Sequence, residues 1–269
     1  MPTLYIVGTP IGNLEDITLR ALRVLKEVRL IAAEDTRKAG ILLRHYDISA
    51  PLTSFFEANE RRKVREILDA LAEGDVALIS NAGMPSISDP GYPLVREAIE
   101  CGYPVVPIPG PSAHTAALVI SGLPTDRFMF LGFPPRKHPE QLFEGLVGIT
   151  ATLVLYEAPH RLQQTLAAML QTLGDRDVAL CRELTKVYEE VWRGRISDAI
   201  TWVDETPPRG EFTLVVAGAS GESERWREAR VCEALATRMA EGLSRSQAAR
   251  EIAAESGWRR RVIYDLVRS

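Results

Sequence analysis

The clearest architectural signal in this chain is Val76-Ala77-Leu78-Ile79-Ser80-Asn81-Ala82-Gly83-Met84-Pro85-Ser86-Ile87-Ser88-Asp89-Pro90-Gly91. Its first four residues are apolar and read as a strand. They run straight into small and turn-forming residues. A helical pattern follows from Gly91 to Cys101, with Gly102 behind it as a stop. In open α/β sheets, ligands sit outside the carboxyl ends of the strands, where this loop falls. Ser88 and Asp89 stand where a helix N-cap belongs, so Asp89 reads equally as a cap or as a ligand-facing carboxylate.

The same grammar repeats on both sides. Leu4–Val7 reads as a strand ended by Gly8, and Thr18–Val28 as a helix. Leu30–Ala33 is a second strand. Asn59–Glu73 is a helix that Gly74 closes with a left-handed cap. Val105–Ile108 is a strand whose proline suits an edge or a strand end. Ser112–Ser121 is a helix with Ser112 as its natural N-cap and Gly122 at its end. This βα alternation predicts a mainly parallel sheet over residues 1–122. Leu123-Pro124-Thr125 reads as a hinge. Beyond it, strands at Phe128–Phe133, Thr152–Tyr156, Val178–Cys181, Glu189–Arg193 and Phe212–Ala217 mix hairpin and crossover signals. Helices are expected at Glu140–Val147 and His160–Leu173, giving a second α/β domain over 123–219. Gly218–Glu224 reads as a linker. Three helices follow over 225–269, and Ser244-Arg245-Ser246-Gln247 is a capping box for the middle one. Ala248, Ile252 and Ala253 are that helix's apolar stripe. A glycine turn at Gly257 before Arg259–Val267 gives helix-turn-helix grammar.

Composition bounds the function. With 46% hydrophobic and 25% charged residues in 269, the chain is neither fibrous nor disordered. The net charge is -4, yet residues 225–269 hold ten arginines against six acids, while residues 1–224 hold 22 basic and 30 acidic groups. An acidic body with a basic tail points to an anionic partner at the C-terminus. Cys101, Cys181 and Cys232 show no metal-ligand spacing and no even disulfide set, so no metal is expected and a reducing cytoplasm is. The start, MPTLYIVG, lacks a signal peptide's pattern, and no apolar run approaches the roughly 18 residues of a membrane span.

Six segments invite a chemical reading, each beside a plain structural one. Gly8–Asn13 is a ligand loop or a tight turn, and its spacing is not that of a dinucleotide fingerprint. Ser80–Gly91 and Pro107–Ala113 each join a strand to a helix at the same end of the sheet, which favours a cleft. In Tyr156–Arg161, Glu157 and His160 form an acid/base pair, or His160 is simply solvated. His114 reads as packed or capping, and Cys181 as core. Cys181–Glu190 is dense in polar residues and reads as a salt-bridged hairpin or a site. Glu34-Asp35-Thr36-Arg37 reads as a helix N-terminus favoured by the dipole, or as catalytic acids. Neither a zinc set, a Walker loop nor a nucleophile elbow is present.

Taken in order, VGTPIGNLEDIT, AAEDTR, SNAGMPSISDPG, PIPGPSA, YEAPHR, CRELTKVYEE and GEFTLVVAG resemble the tetrapyrrole methylase superfamily. Within it they resemble the branch that methylates a cytidine 2′-hydroxyl in the decoding region of small-subunit ribosomal RNA. The likeness covers residues 2 to about 218, and the C-terminal module is similar to that branch's helix-turn-helix extension. It implies two α/β domains with an interdomain cleft for S-adenosylmethionine, a cytoplasmic homodimer, and 16S RNA, within the 30S subunit, as substrate. Carried over residue by residue, it places Pro10, Gly83, Met84, Pro85, Ser112, Ala113 and Tyr156 at the cofactor. Small-molecule relatives have Gly-Asp-Pro where this chain has Gly83-Met84-Pro85, so Asp89, with Ser88, is the candidate substitute for that carboxylate.

The chemistry needs a group to take the hydroxyl proton, and Asp35, Glu34 or a neutral Lys186 are the candidates. Arg37 and Arg161 are expected to hold adjoining phosphates, and Arg259, Arg260 and Arg261 to add affinity from the tail. Two other readings compete. One is a tetrapyrrole or other small-molecule methyltransferase, against which the basic module argues. The other is a ligand-sensing regulator whose Arg259–Val267 helix reads DNA.

Overall fold

The computed structural model describes residues 1–219, 228–240, 242–256, 258 and 260–266. The first half alternates strand and helix: β1 (Leu4–Val7), α1 (Leu19–Glu27), β2 (Leu30–Ala33), α2 (Thr36–His45), β3 (Leu52–Ser54), α3 (Glu60–Glu73), β4 (Val76–Ile79), α4 (Tyr92–Glu100), β5 (Val105–Ile108) and α5 (Ala113–Ile120). The strands lie in the order β3-β2-β4-β1-β5, and every pairing is parallel. Leu4 pairs with both Val76 and Val105, so β1 sits between the strands that carry the two long loops. All four residues of β4 are buried, as a central parallel strand with helices on both faces requires. Pro107 stands on β5, at the sheet edge, where a missing N–H costs no ladder bond.

The second half builds another five-stranded sheet from β6 (Phe128–Phe130), β7 (Thr152–Glu157), β8 (Asp177–Arg182), β9 (Glu190–Arg195) and β10 (Phe212–Val216). Its helices are α6 (Pro139–Glu144), α7 (Leu162–Leu173) and α8 (Ile196–Glu205). The order is β6-β7-β10-β8-β9, with β6 and β7 parallel and the remaining pairs antiparallel. This is the expected mixture of hairpin and crossover. Helix α5 joins the two sheets physically, because it packs on β7 and β10. Its Ala117 and Leu118 are buried together with Ile11 from the first half and Val154, Ala179, Cys181, Leu184 and Val215 from the second.

Beyond these sheets lie α9 (Glu228–Ala240), α10 (Arg245–Ser256) and α11 (Arg260–Asp265), with a core of Val231, Leu235, Ala248, Ala249, Ile252 and Ile263. The capping box forms: the Gln247 amide donates to Ser244 Oγ at 3.4 Å, and the Ser244 amide to Gln247 Oε1 at 3.1 Å. The linker residues 220–224, Gly257 and Arg259 lie outside the described residues.

Several local expectations are corrected. Gly74 ends α3 with φ 173°, which is extended backbone rather than a left-handed cap. Ser112 occupies the N-cap of α5 but caps nothing; its Oγ lies 2.8 Å from His114 Nδ1. Helix α4 starts at Tyr92 behind Gly91, so Asp89 is not its cap. The strand expected over Phe128–Phe133 stops at Phe130. Strand β3 and helix α8 were not foreseen at all, and α2 only at its N-terminus.

Candidate active site

A cleft of about 430 Å³ opens where the loops after β1, β4 and β5 face one end of the second sheet, made of the carboxyl ends of β7 and β8 and the amino end of β10. Its first wall is knitted by backbone. The Thr9 amide donates to the Gly83 carbonyl at 2.9 Å, and the Gly83 amide to the Thr9 carbonyl at 3.0 Å. Thr9 Oγ1 adds a bond to the Ser80 carbonyl at 3.2 Å. Gly8 and Gly110 touch so closely that a Cβ on Gly8 would lie 2.7 Å from the Gly110 Cα. Only glycines allow two backbones to approach this way. Gly83 also needs its freedom, with φ +78°. The loop after β1 therefore supports the wall more than it lines it: Ile11 reaches the cleft, whereas Pro10 is not among the lining residues. Gly12 seats the opposite loop, since a Cβ there would lie 2.5 Å from Lys186 Cγ.

Of the residues singled out for the cofactor, Gly83, Met84, Ser88, Asp89, Ser112, Ala113 and Tyr156 come together in this cleft. Pro85 is buried beside it and does not line it. Ser86 and Ser88 have φ of 70° and 60°, conformations that cost energy for a side chain and persist only where the surroundings impose them. They turn the loop so that Asp89 faces the cleft. Burial, and then the neighbouring Glu34 carboxylate, push Asp89 up to about 6, against a hydrogen bond from Ser80. Asn81 is pinned by its amide, which donates to Glu34 Oε2 at 3.0 Å, while its own Oδ1 is buried without a partner among the described residues.

The three acid–base candidates part company. Glu34 and Lys186 line the cleft; Asp35 does not. Asp35 caps α2, accepting from the Arg37 amide at 2.9 Å, and grips the Arg37 guanidinium through Nε at 3.1 Å and Nη2 at 2.8 Å. Those bonds hold its carboxyl well below the usual range, which makes it a weak base. Lys186 Nζ bonds Glu183 Oε1 at 2.8 Å and Glu211 Oε2 at 2.9 Å. Burial draws the ammonium down, but these two carboxylates outweigh it and hold the group above the ordinary lysine range. Lys186 is thus a fixed cation and not the neutral amine the sequence suggested. Its loop is rigidly shaped, with Glu183 and Thr185 at φ of 50° and 65°.

The arginines lie elsewhere. Arg37 is largely exposed beside Asp35. Arg161 is mostly buried, and its Nη2 donates to the Pro134 and Pro135 carbonyls, each at 2.8 Å. Arg260 and Arg261 are exposed on α11, and Arg260 Nη2 donates to Ser246 Oγ at 2.8 Å. Glu157 makes no pair with His160: it is buried, accepts from the Ala158 amide at 2.8 Å and from Thr165 Oγ1, and lies 3.6 Å from Arg161 Nε. His114 is packed, with its ring 4.5 Å from that of Phe130 and its Nδ1 3.2 Å from the Tyr156 hydroxyl. Cys181 is core, and burial pushes its thiol up to about 11. Sequence reading missed Lys38, Asn81, Phe133, Leu184, Glu211, Phe212 and Thr213, which also line the cleft. Only Asn81 lay inside a loop that glycine and proline had already marked.

Comparison with known proteins places this geometry. Residues 3–200 match the family described as Tetrapyrrole (Corrin/Porphyrin) Methylases. The chain is 46% identical over 271 residues to "Ribosomal RNA small subunit methyltransferase I" of Halalkalibacterium halodurans, covering 98% of this chain and 94% of that protein. The protein of that name from Thermotoga maritima is 50% identical over 220 residues, covering 99% of its own length but 81% of this chain. Among solved structures, uroporphyrin-III-C-methyltransferase from Thermus thermophilus aligns with a TM-score of 0.59 at 24% identity, covering 81% of this chain and 94% of that one. Diphthine synthase aligns at 0.62 with 18% identity, covering 80% and 90%; at such identities the likeness is one of fold. The two-sheet architecture with its shared cleft, and relatives alike over nearly their whole length, make the chain a member of the tetrapyrrole methylase family of S-adenosylmethionine-dependent methyltransferases, on the branch of the ribosomal RNA small subunit methyltransferase I proteins.

Proposed function

We propose that this enzyme transfers a methyl group from S-adenosylmethionine to the 2′-hydroxyl of a cytidine in small-subunit ribosomal RNA. The observation that carries the reading is the meeting of Glu34, Asp89 and Lys186 in one cleft whose remaining lining is largely small and apolar. The relatives' printed name supplies the ribosomal RNA.

The cleft suits the methyl donor. Its volume falls in the roughly 300–1,000 Å³ range of small-molecule sites. Met84, Ile87, Ala113 and Leu184 offer apolar surface to a purine ring, and the unpartnered Asn81 Oδ1 offers an acceptor for an amine. Asp89 and Glu34 offer negative charge to the ammonium and sulfonium groups. Gly83, Met84, Ser88, Asp89, Ser112, Ala113 and Tyr156 are the proposed holders, with Pro10 and Pro85 shaping the loops from behind.

S-adenosylmethionine supplies a methyl group already activated by a sulfonium centre. The chain's own residues have to place a ribose oxygen in line with it and remove that oxygen's proton. Glu34 is the proposed acceptor: it lines the cleft, and the Asn81 amide holds one of its oxygens in place. Lys186, fixed by Glu183 and Glu211, stabilises the developing negative charge on the attacking oxygen. Arg37, Arg260 and Arg261 are exposed and suited to phosphates. Added RNA affinity is assigned to the segment over 225–269, which holds ten arginines against six acids. Cytoplasmic location and a homodimer belong to the same reading. No described helix is long and apolar enough to cross a membrane, and half-exposed Phe128 and Met129 on the edge strand β6 offer a surface for pairing.

The test is methyl transfer from labelled S-adenosylmethionine to small ribosomal subunits that lack the modification, with nucleotide mapping. Label on one cytidine ribose is expected. Cofactor binding without label on subunits or naked RNA would transfer the weight to a small-molecule substrate. Duplex DNA binding without any methyl transfer would indicate the regulator instead.

A further inference from the structure

Phe133 lines the cleft and yet is 56% exposed. A single exposed apolar side chain is ordinary at a protein surface, but an aromatic ring at the rim of a pocket is also a surface on which a planar group can stack. Phe133 is also the outermost of four linked rings. The His114 ring lies 4.5 Å from Phe130, Phe130 lies 5.0 Å from Tyr156, and Tyr156 lies 5.4 Å from Phe133. The other three are only partly exposed, and Tyr156 turns its hydroxyl inward to His114. The chain segment that carries Phe133 follows the short strand β6, and it is held on both sides. Before it, the Tyr156 amide donates to the Gly132 carbonyl at 2.9 Å. After it, Arg161 ties down the carbonyls of Pro134 and Pro135. Arg161 is itself held from beneath by Glu157, whose other bonds go to the Ala158 amide and to Thr165.

We infer that Phe133 is a stacking platform for the base of the nucleotide being methylated, and that Arg161 is the positioning residue that sets it there. The inference rests on the RNA reading above. Single-stranded bases are recognised by stacking on aromatic side chains, and a ribose inside the cleft leaves its base near the rim. A purine ring of the cofactor is the competing occupant. The exposure of Phe133 favours the group that arrives from outside, because the less exposed Met84 and Leu184 already offer apolar surface within. The role also explains why Arg161, which does not itself line the cleft, donates to the two backbone carbonyls that follow Phe133.

The experiment measures KM and kcat for small-subunit RNA, and Kd for S-adenosylmethionine, in the full-length protein and in Phe133→Ala, Phe133→Trp, Arg161→Met, Arg161→Lys and Phe133→Ala/Arg161→Met. Thermal melting is followed in each. Phe133→Ala is expected to raise the RNA KM roughly 10-fold, within the range that removal of one stacking partner produces. Its cofactor Kd should stay within a factor of two, and Phe133→Trp should recover most of the loss. Arg161→Met should raise the same KM, and the double variant should be no worse than the weaker single one, since both act through one platform. If Arg161→Met unfolds, Arg161→Lys carries the comparison. A weakened cofactor Kd with an unmoved RNA KM would overturn the inference and give Phe133 to the cofactor. Unmoved values for both, or additive losses, would overturn it too. Absence of ribose methylation by the unaltered enzyme would sink the RNA reading and the platform together, whereas failure of the platform alone shows only in the variants.

Discussion

The two walls of the cleft are built on different principles. The first wall is fixed by what is missing: Gly8 and Gly110 lie backbone to backbone, and the Thr9–Gly83 bridge ties two loops without any side-chain charge. The second wall is fixed by charge. Lys186 sits between Glu183 and Glu211, and Arg161 stands between Glu157 and two carbonyls. Steric closeness is insensitive to salt and pH, whereas ion pairs near the surface weaken as salt screens them. One wall is therefore held by backbone contact that salt leaves unchanged, and the other leans in part on the partly exposed pairs of Lys186, which salt weakens.

The strongest way to break the contrast is Gly110→Ala. A Cβ there would lie 2.9 Å from the Gly8 Cα and 3.0 Å from its carbonyl atoms, and neither loop can give way without losing the bridge. A loss of about 3 kcal/mol in stability is expected, at the upper end of overpacking costs, with S-adenosylmethionine binding abolished. Denaturant melts and calorimetric titration would check both. Lys186→Met should come next. Methyl transfer should fall about 100-fold, the scale for removing one charge-stabilising donor, with a stability loss of about 1 kcal/mol. That stability loss should shrink in 1 M salt, on the order of seven times physiological ionic strength. The Gly110→Ala loss should not, and equal salt responses would erase the distinction between the walls.

Asp89→Asn tests a half-buried carboxylate of the first wall. Its folded value near 6 lies above the 3.8 of an ordinary aspartate, so the folded state holds the proton more tightly. Ionising it therefore costs stability, fully above pH 6 and not at all below about pH 4. The cofactor-free variant should melt higher than the unaltered protein at pH 8 and equal to it at pH 4. In the unaltered enzyme an inflection near pH 6 is expected in kcat/KM for S-adenosylmethionine, and the variant should lack it. The smallest effect is expected from Arg37→Ala, which removes an exposed pair that adds little to stability. Its signature should be a weaker dependence of RNA affinity on salt.

The first wall was legible in the sequence, whereas of the second only Tyr156 and the Cys181–Glu190 segment with Lys186 stood out, for a physical reason. Loops that must bend sharply or admit a neighbouring backbone need glycine and proline, and those residues marked Gly8–Asn13, Ser80–Gly91 and Pro107–Ala113. The second wall comes from strand ends whose partners are set by pairing. Glu211 meets Lys186 because β10 lies beside β8, which places Phe212 opposite Arg182. No local spacing announces that. Helix α8 escaped notice because it follows β9 directly, with Arg195 in its N-cap position and no side-chain cap. Strand β3 is three partly buried residues, too short for any period. Asp89 was left between two roles by its position alone, and the start of α4 at Tyr92 removed one of them.

The register of β1 has a consequence for how the enzyme is made. Leu4 pairs with Val76 and Val105, about 70 and 100 residues later in the chain. Contacts so distant in sequence form late, because the entropy of closing the intervening chain must be overcome first. The glycine contact and the Thr9–Gly83 bridge cannot exist before then, so no fragment of the nascent chain ending before β5 possesses the first wall. The seat for the methyl donor is consequently absent until β1 is enclosed by β4 and β5, and it stays one-sided until the second sheet supplies Tyr156 and Leu184.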